Sequence, residues 1–198
     1  MRSVPAAVVV ALAVGLSLPA FAGLRDSPTD HGGGARDIAR VSVLSSGWTE
    51  NGGSDFNDVQ HSITIKVGAN PTDGGYLISF GSAEIWIYYN VTGWDYKVRP
   101  SGGSWTSSKI GSCTWSNGQT TLPGLRERQD LGTPSGQPHS PYTDPKNGDV
   151  DLGAKSYNHR ENNSEPPTAE DDPVDSQDNA GDGGTHNWSV PNPQQGGE

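Results

Sequence analysis

Two stretches of alternating apolar and polar residues constrain the fold of this chain more than any other feature. In residues 59–67 the odd positions are mostly apolar and the even ones polar, and residues 83–92 repeat the pattern with Ile85 and Ile87 in the apolar row. A period of two is typical of a strand with one buried face and one wet face. Dense turn residues at 69–75 and a short apolar run at 76–80 separate the two stretches.

The spacing of turn residues extends this pattern into a fold class. Residues 41–125 contain about seven short strand patterns with turn signals about every 8–12 residues, and no segment has a helical period. Asn117-Gly118 lies between β-forming residues and predicts a type I′ hairpin turn that pairs Ser116 with Gln119. The sequence therefore predicts an all-β domain over 41–125, a small antiparallel β-sandwich or barrel.

The N-terminal residues have the pattern of an export signal. Arg2 is followed by an apolar run at 8–16, and Ala20-Phe21-Ala22 fits the small-x-small cleavage rule. Residues 1–22 are therefore predicted to be a signal peptide, so that the protein is secreted to the extracellular space (or to the periplasm or cell surface in a bacterium). Residues 23–40 contain a run of three glycines and are predicted to be a flexible leader.

Charge and composition change after Leu125. Residues 126–198 carry five Lys/Arg against fourteen Asp/Glu and few large apolar side chains. Such a composition predicts a disordered acidic tail rich in Gly, Pro, Asp and Asn. The overall net charge of −10 argues against nucleic acid and anionic membranes as partners.

Residues with catalytic potential are few. Cys113 is the only cysteine, so no intramolecular disulfide can form, whereas a disulfide between two chains, and with it the oligomeric state, stays open. His61 lies in an apolar row and is interpreted as a hydrogen-bonded buried histidine rather than a general base. The chain has no Gly-x-Ser-x-Gly or His-Glu-x-x-His motif, which favours a non-enzymatic role without excluding an enzyme.

Residues 55–58 are a candidate metal site. Asp55, Asn57 and Asp58 lie in a Gly-rich stretch, where carboxylate and amide oxygens could converge on a calcium ion. An ordinary solvated loop is the alternative, and the sequence predicts no other cofactor.

The candidate ligand-binding surface is the polar face of the second alternating stretch. Trp86 and Tyr88 are two positions apart, so their rings would lie on the same face about 6.5–7 Å apart. With Glu84 and Asn90 beside them, they could stack on sugar rings while the polar groups bind hydroxyls. The alternative is a second layer that covers this face.

The leading hypothesis is therefore a secreted, non-catalytic β-sandwich that binds an extracellular glycan or another surface polymer. The alternatives are a structural or coat component without a small ligand and, third, a secreted hydrolase.

Overall fold

The computed structural model describes residues 22–25, 34–48, 58–132, 146–158, 163–178 and 186–190. All helix and strand elements within these residues are β-strands. The strands are β1 (Ala22–Arg25), β2 (Ile38–Trp48), β3 (Asp58–Val67), β4 (Gly75–Phe80), β5 (Ala83–Tyr89), β6 (Trp94–Arg99), β7 (Gly111–Cys113), β8 (Gln119–Arg126), β9 (Lys146–Val150), β10 (Leu152–Tyr157), β11 (Asp175–Asp178) and β12 (His186–Val190).

The strands form three antiparallel sheets. The first has the order β1-β2-β3-β8, the second β11-β10-β4-β5-β6-β7, and the small third sheet pairs β12 with β9. One buried apolar cluster contains residues of both larger sheets, so these two sheets face each other as in an open sandwich. The prediction of an all-β, antiparallel fold is confirmed.

Alternation along the strands produces the core between the sheets. Ile63 and Ile65 of β3 belong to the same cluster as Ile85 and Ile87 of β5, and all four side chains are fully buried. The even positions Gln60, Ser62 and Thr64 of β3 are only partly buried. The predicted register is confirmed for residues 59–67. In residues 83–92 the apolar row is buried as far as Ile87, but the opposite face is largely buried as well and Val91 is exposed.

The interpretation of 126–198 as a disordered tail is wrong for the part that the structure describes. β10 pairs along its whole length with β4, and β11 pairs with the other side of β10. Leu152 and Ala154 belong to the core cluster, so the boundary at Leu125 does not end the domain. The composition misleads because Gly153, Ala154 and Ser156 fit a strand buried on both faces without large side chains, and the ladders on both sides satisfy its backbone.

The flexible leader predicted for residues 23–40 is also corrected where it is described. Residues 23–25 pair with β2 as part of β1, and β2 already begins at Ile38. Arg36 anchors the approach to β2, because its guanidinium donates to the Asp73 carboxylate at 2.6 Å and to the Tyr76 hydroxyl at 3.1 Å. Of the predicted signal peptide, only Ala22 lies within the described residues.

Candidate functional site

Trp86 and Tyr88 do not form an exposed platform. Trp86 is 0% exposed and Tyr88 5% exposed, and they make a second buried cluster with Tyr157. Leu77 and Trp105 pack against this cluster from the side. The prediction that Trp86 and Tyr88 stack on a ligand at the surface is therefore wrong.

The cover comes from residues 163–164, far along the chain. The Trp86 indole donates a hydrogen bond of 2.8 Å to the Asn163 carbonyl, and the Lys97 ammonium donates one of 3.1 Å to the Ser164 carbonyl. Tyr157 of β10 packs edge-on against Trp86. A second layer thus covers this face, which is the alternative that the sequence left open.

The same prediction placed Glu84 and Asn90 beside the ligand. In the structure both side chains bond to neighbouring protein groups instead. Glu84 forms an ion pair of 2.5 Å with Arg99 on the neighbouring strand. The Asn90 side-chain oxygen accepts hydrogen bonds from the backbone of Thr92 and Gly93, and its amide donates to Asp95. Asn90 therefore caps the β5–β6 turn.

The candidate calcium ligands are not brought together in the described part of the chain. Asp55 and Asn57 lie outside the described residues, and Asp58 begins β3, where its backbone is the register partner of Trp48. Among the residues described, no group of three or more His, Cys, Asp or Glu side chains could hold a metal ion.

The Asn117-Gly118 turn forms as predicted, but it joins strands of two different sheets. Asn117 and Gly118 have positive φ angles of 52° and 70°, and Ser116 pairs with Gln119, as predicted for a type I′ turn. Its two arms, however, belong to different sheets, since β7 is an edge strand of the six-stranded sheet and β8 an edge strand of the four-stranded sheet. The turn is therefore the corner at which the chain crosses the sandwich.

A groove of about 660 Å³ opens at this corner, and we call it the corner groove. Its lining is dominated by hydroxyl and amide side chains from the two arms, and β3 contributes Lys66. The lining residues are Lys66, Ser112, Cys113, Thr114, Ser116, Asn117, Gln119, Thr120, Thr121 and Pro123.

The strand pleat explains the polar lining. Ser112, Thr114 and Ser116 alternate with Cys113 and Trp115, and the three hydroxyl residues are exposed. Trp115 instead packs against the aromatic core. On the other arm, Gln119, Thr121 and Pro123 are exposed, whereas the intervening threonine and leucine are buried. This site was not predicted from the sequence, although a period of two in small polar side chains is a usable signal for it.

The buried Cys113 side chain lines the groove, and its thiol is not an activated nucleophile. Burial raises the pKa of its thiol by more than the neighbouring Thr120 hydroxyl lowers it. The thiol therefore stays protonated near neutral pH, and a thiol is a poor nucleophile.

One end of the groove is fixed by a charged cluster. The Lys109 ammonium donates to Asp95 at 2.9 Å and to Ser112 at 3.1 Å, and the Ser112 hydroxyl donates to Asp95 at 2.6 Å. Burial acts to raise the pKa of Asp95, but the donors Ser112, Lys109 and Asn90 outweigh it and hold that pKa below its usual value. Because Lys109 donates to both partners and Ser112 donates to Asp95, the cluster holds the Ser112 side chain in place.

His61 lies away from the groove. Its ring is buried in the core, 2.7 Å from the Ser45 hydroxyl through Nδ1 and in contact with the Phe80 ring. This environment agrees with the interpretation of His61 as a hydrogen-bonded buried histidine.

The fold and the groove together define a class: an open, antiparallel β-sandwich with a polar groove where two sheet edges meet. No protein-family model, no curated protein and no solved structure matches this chain. The described residues include no helix of the length and apolar character needed to cross a membrane.

Proposed function

We propose that this protein is a non-catalytic binding module whose corner groove holds part of a hydroxyl-rich extracellular glycan. The observation that carries the proposal is the lining of the groove, in which exposed hydroxyl and amide side chains come from both arms of the corner hairpin. The volume of about 660 Å³ lies within the range of about 300–1,000 Å³ that is usual for ligand pockets.

The free hydrogen-bonding groups of the groove match sugar hydroxyls. Thr114, Ser116, Asn117 and Gln119 make no side-chain hydrogen bond to any other described residue. Hydroxyl and amide groups both donate and accept, and so do the hydroxyls of a sugar. Binding would therefore exchange water for ligand without breaking a bond within the described protein.

Charge favours a neutral glycan over an acidic one. Among the described residues that line the groove, Lys66 alone is charged. The protein as a whole carries a net charge of −10, which repels polyanions. The export signal predicted for residues 1–22 would deliver the groove to the compartment where such polymers occur.

A glycan array probed with the full chain tests the proposal, and a pair of groove substitutions locates the site. In the S116A/Q119A variant we expect the affinity for the bound glycan to fall by about 5- to 150-fold, since each of the two lost hydrogen bonds contributes about 0.5–1.5 kcal/mol. The matched control is S107A/S108A, which removes two exposed hydroxyls of the β6–β7 loop that lie outside the groove.

The outcomes separate the alternatives. Binding that the control preserves and the groove variant loses supports the proposal. Absence of any bound glycan, or equal affinity in the two variants, would overturn it. Ordered self-assembly of the chain without a ligand would favour a structural or coat component, and turnover that depends on one Asp or Glu would favour a hydrolase.

A further inference from the structure

Asn117-Gly118 combines a reactive sequence with a restrained geometry. In a flexible Asn-Gly segment the glycine nitrogen attacks the side-chain carbonyl carbon of the asparagine, and glycine has no Cβ to hinder the approach. The new bond joins the Gly118 nitrogen to Cγ of Asn117, and the bond from Cγ to Nδ2 breaks. Ammonia leaves with the proton of the Gly118 amide, and water then opens the five-membered imide to aspartate or isoaspartate.

The attacking nitrogen is occupied in this structure. The Gly118 N–H donates a hydrogen bond of 2.6 Å to Oδ1 of Asn70, which lies in the loop between β3 and β4. On the other side of the same residue, the Gly118 carbonyl accepts a bond of 2.7 Å from the Val67 N–H. Two further backbone bonds between Ser116 and Gln119, of 2.9 and 3.0 Å, close the turn.

We propose that Asn117 is a latent modification site that Asn70 keeps in the amide form. The Asn117 side chain is exposed to water, so the bond to Asn70 and the closed turn, rather than burial, protect it. Attack requires the Gly118 nitrogen to leave Asn70 and approach Cγ, which means opening the corner. Loss of the Asn70 acceptor releases that nitrogen.

The modification would change the corner groove directly. Asn117 lines the groove, so the product places a carboxylate in a site where Lys66 is the one charged residue among the described lining. The isoaspartate product also inserts an extra methylene into the backbone at the corner between the sheets. This inference does not depend on what the groove binds.

The test is an ageing experiment on the folded full chain at mildly alkaline pH, with conversion at Asn117 measured by peptide mapping. We expect Asn117 in the native protein to convert at least about tenfold more slowly than in the urea-unfolded chain, the factor that a hydrogen bond of about 1.4 kcal/mol supplies. Asn70→Ala should remove most of that protection, whereas Asn70→Asp keeps an acceptor oxygen and should retain it. Thr72→Ala, an exposed change in the same loop, is the control.

Hydrogen exchange of the Gly118 amide gives a second measurement that needs no substitution. We expect this amide to exchange slowly in the native protein because of its bond to Asn70. Exchange at the rate of the unfolded chain would overturn the proposal. Equal conversion of Asn117 in the folded wild-type and Asn70→Ala proteins would do so as well.

Discussion

The cover over Trp86 predicts a specific pattern of stability changes. Trp86→Ala removes a fully buried indole together with the hydrogen bond to the Asn163 carbonyl. Truncation of a buried aromatic side chain to alanine costs about 3–5 kcal/mol of unfolding free energy. Trp86→Phe keeps a ring but removes the indole N–H and its hydrogen bond to Asn163, and loss of one such bond usually costs about 0.5–1.5 kcal/mol.

Gly75 supplies an independent measure of the same packing. A Cβ atom at this position would lie far inside van der Waals contact with the rigid six-membered ring of Trp86. Gly75→Ala should therefore cost about 1–3 kcal/mol in the wild-type protein, as overpacking usually does. In the Trp86→Ala background the ring is gone, so we expect the same substitution to cost under about 1 kcal/mol.

Urea unfolding followed by far-UV circular dichroism measures all four proteins of this double-mutant cycle. Leu44→Ala, on a side chain of β2 that is 37% exposed, is the control and should change the unfolding free energy by about 0.5 kcal/mol or less. An equal cost of Gly75→Ala in both backgrounds would refute the packing argument. A Trp86→Ala protein as stable as the wild type would show that residues 163–164 do not cover this face in solution.

Three further changes test other parts of the structure. A chain that ends at Leu125 lacks β10 and β11, so we expect its thermal midpoint to fall by more than about 10 °C. A chain that ends at Asp178 keeps both strands and should keep most of its stability. Equal midpoints for the Leu125 chain and the full chain would contradict the role of β10. Burial is the main cause that raises the pKa of Tyr76 from 10 to about 12, against the opposing effect of Arg36. The protonated Tyr76 therefore contributes fully to the unfolding free energy below pH 10. This contribution, about 3 kcal/mol in total, is lost as the pH rises from 10 to 12. Tyr76→Phe should flatten that part of the pH–stability curve, and an unchanged slope would argue against this burial. Val91 has a φ of 75° and is 81% exposed at a turn. Asparagine tolerates the left-handed backbone region better than a β-branched residue does. Val91→Asn should therefore raise the unfolding free energy, measured by urea unfolding, by about 1 kcal/mol. A loss of stability would contradict that strain.

The sequence predicts the parts of the fold that depend on local pattern. Alternation is enough to place Ile63 and Ile85 in the core, because the pleat directs every second side chain to one face. The positive φ angles of Asn117 and Gly118 follow from the residue types that a type I′ turn requires.

The position of Trp86 shows where local pattern is insufficient. Alternation assigns Trp86 to the face opposite Ile85 and Ile87, and it does lie there, but the pattern cannot say what packs on that face. The covering contact is the backbone carbonyl of Asn163, a group that every residue has, so it leaves no signal in the sequence. The strand β10 was not predicted for a related reason. Its small residues are also typical of linkers, and only its pairing with β4 and β11 identifies it as a core strand.

The position of β10 within its sheet has a consequence for how the chain reaches its folded state. Its register partners in β4 precede it by about 70 to 80 residues, and such distant pairings slow folding because a long loop must close first. Until β10 arrives, β4 is an edge strand that presents Ile78 and Phe80 beside unpaired backbone groups, a template on which another chain can add. For a chain that emerges N-terminus first from a ribosome or an export channel, the interval before residues 152–157 appear is the period of greatest exposure to aggregation. We therefore expect refolding yield to fall as protein concentration rises, and a separate peptide of residues 152–157 in excess to restore part of it.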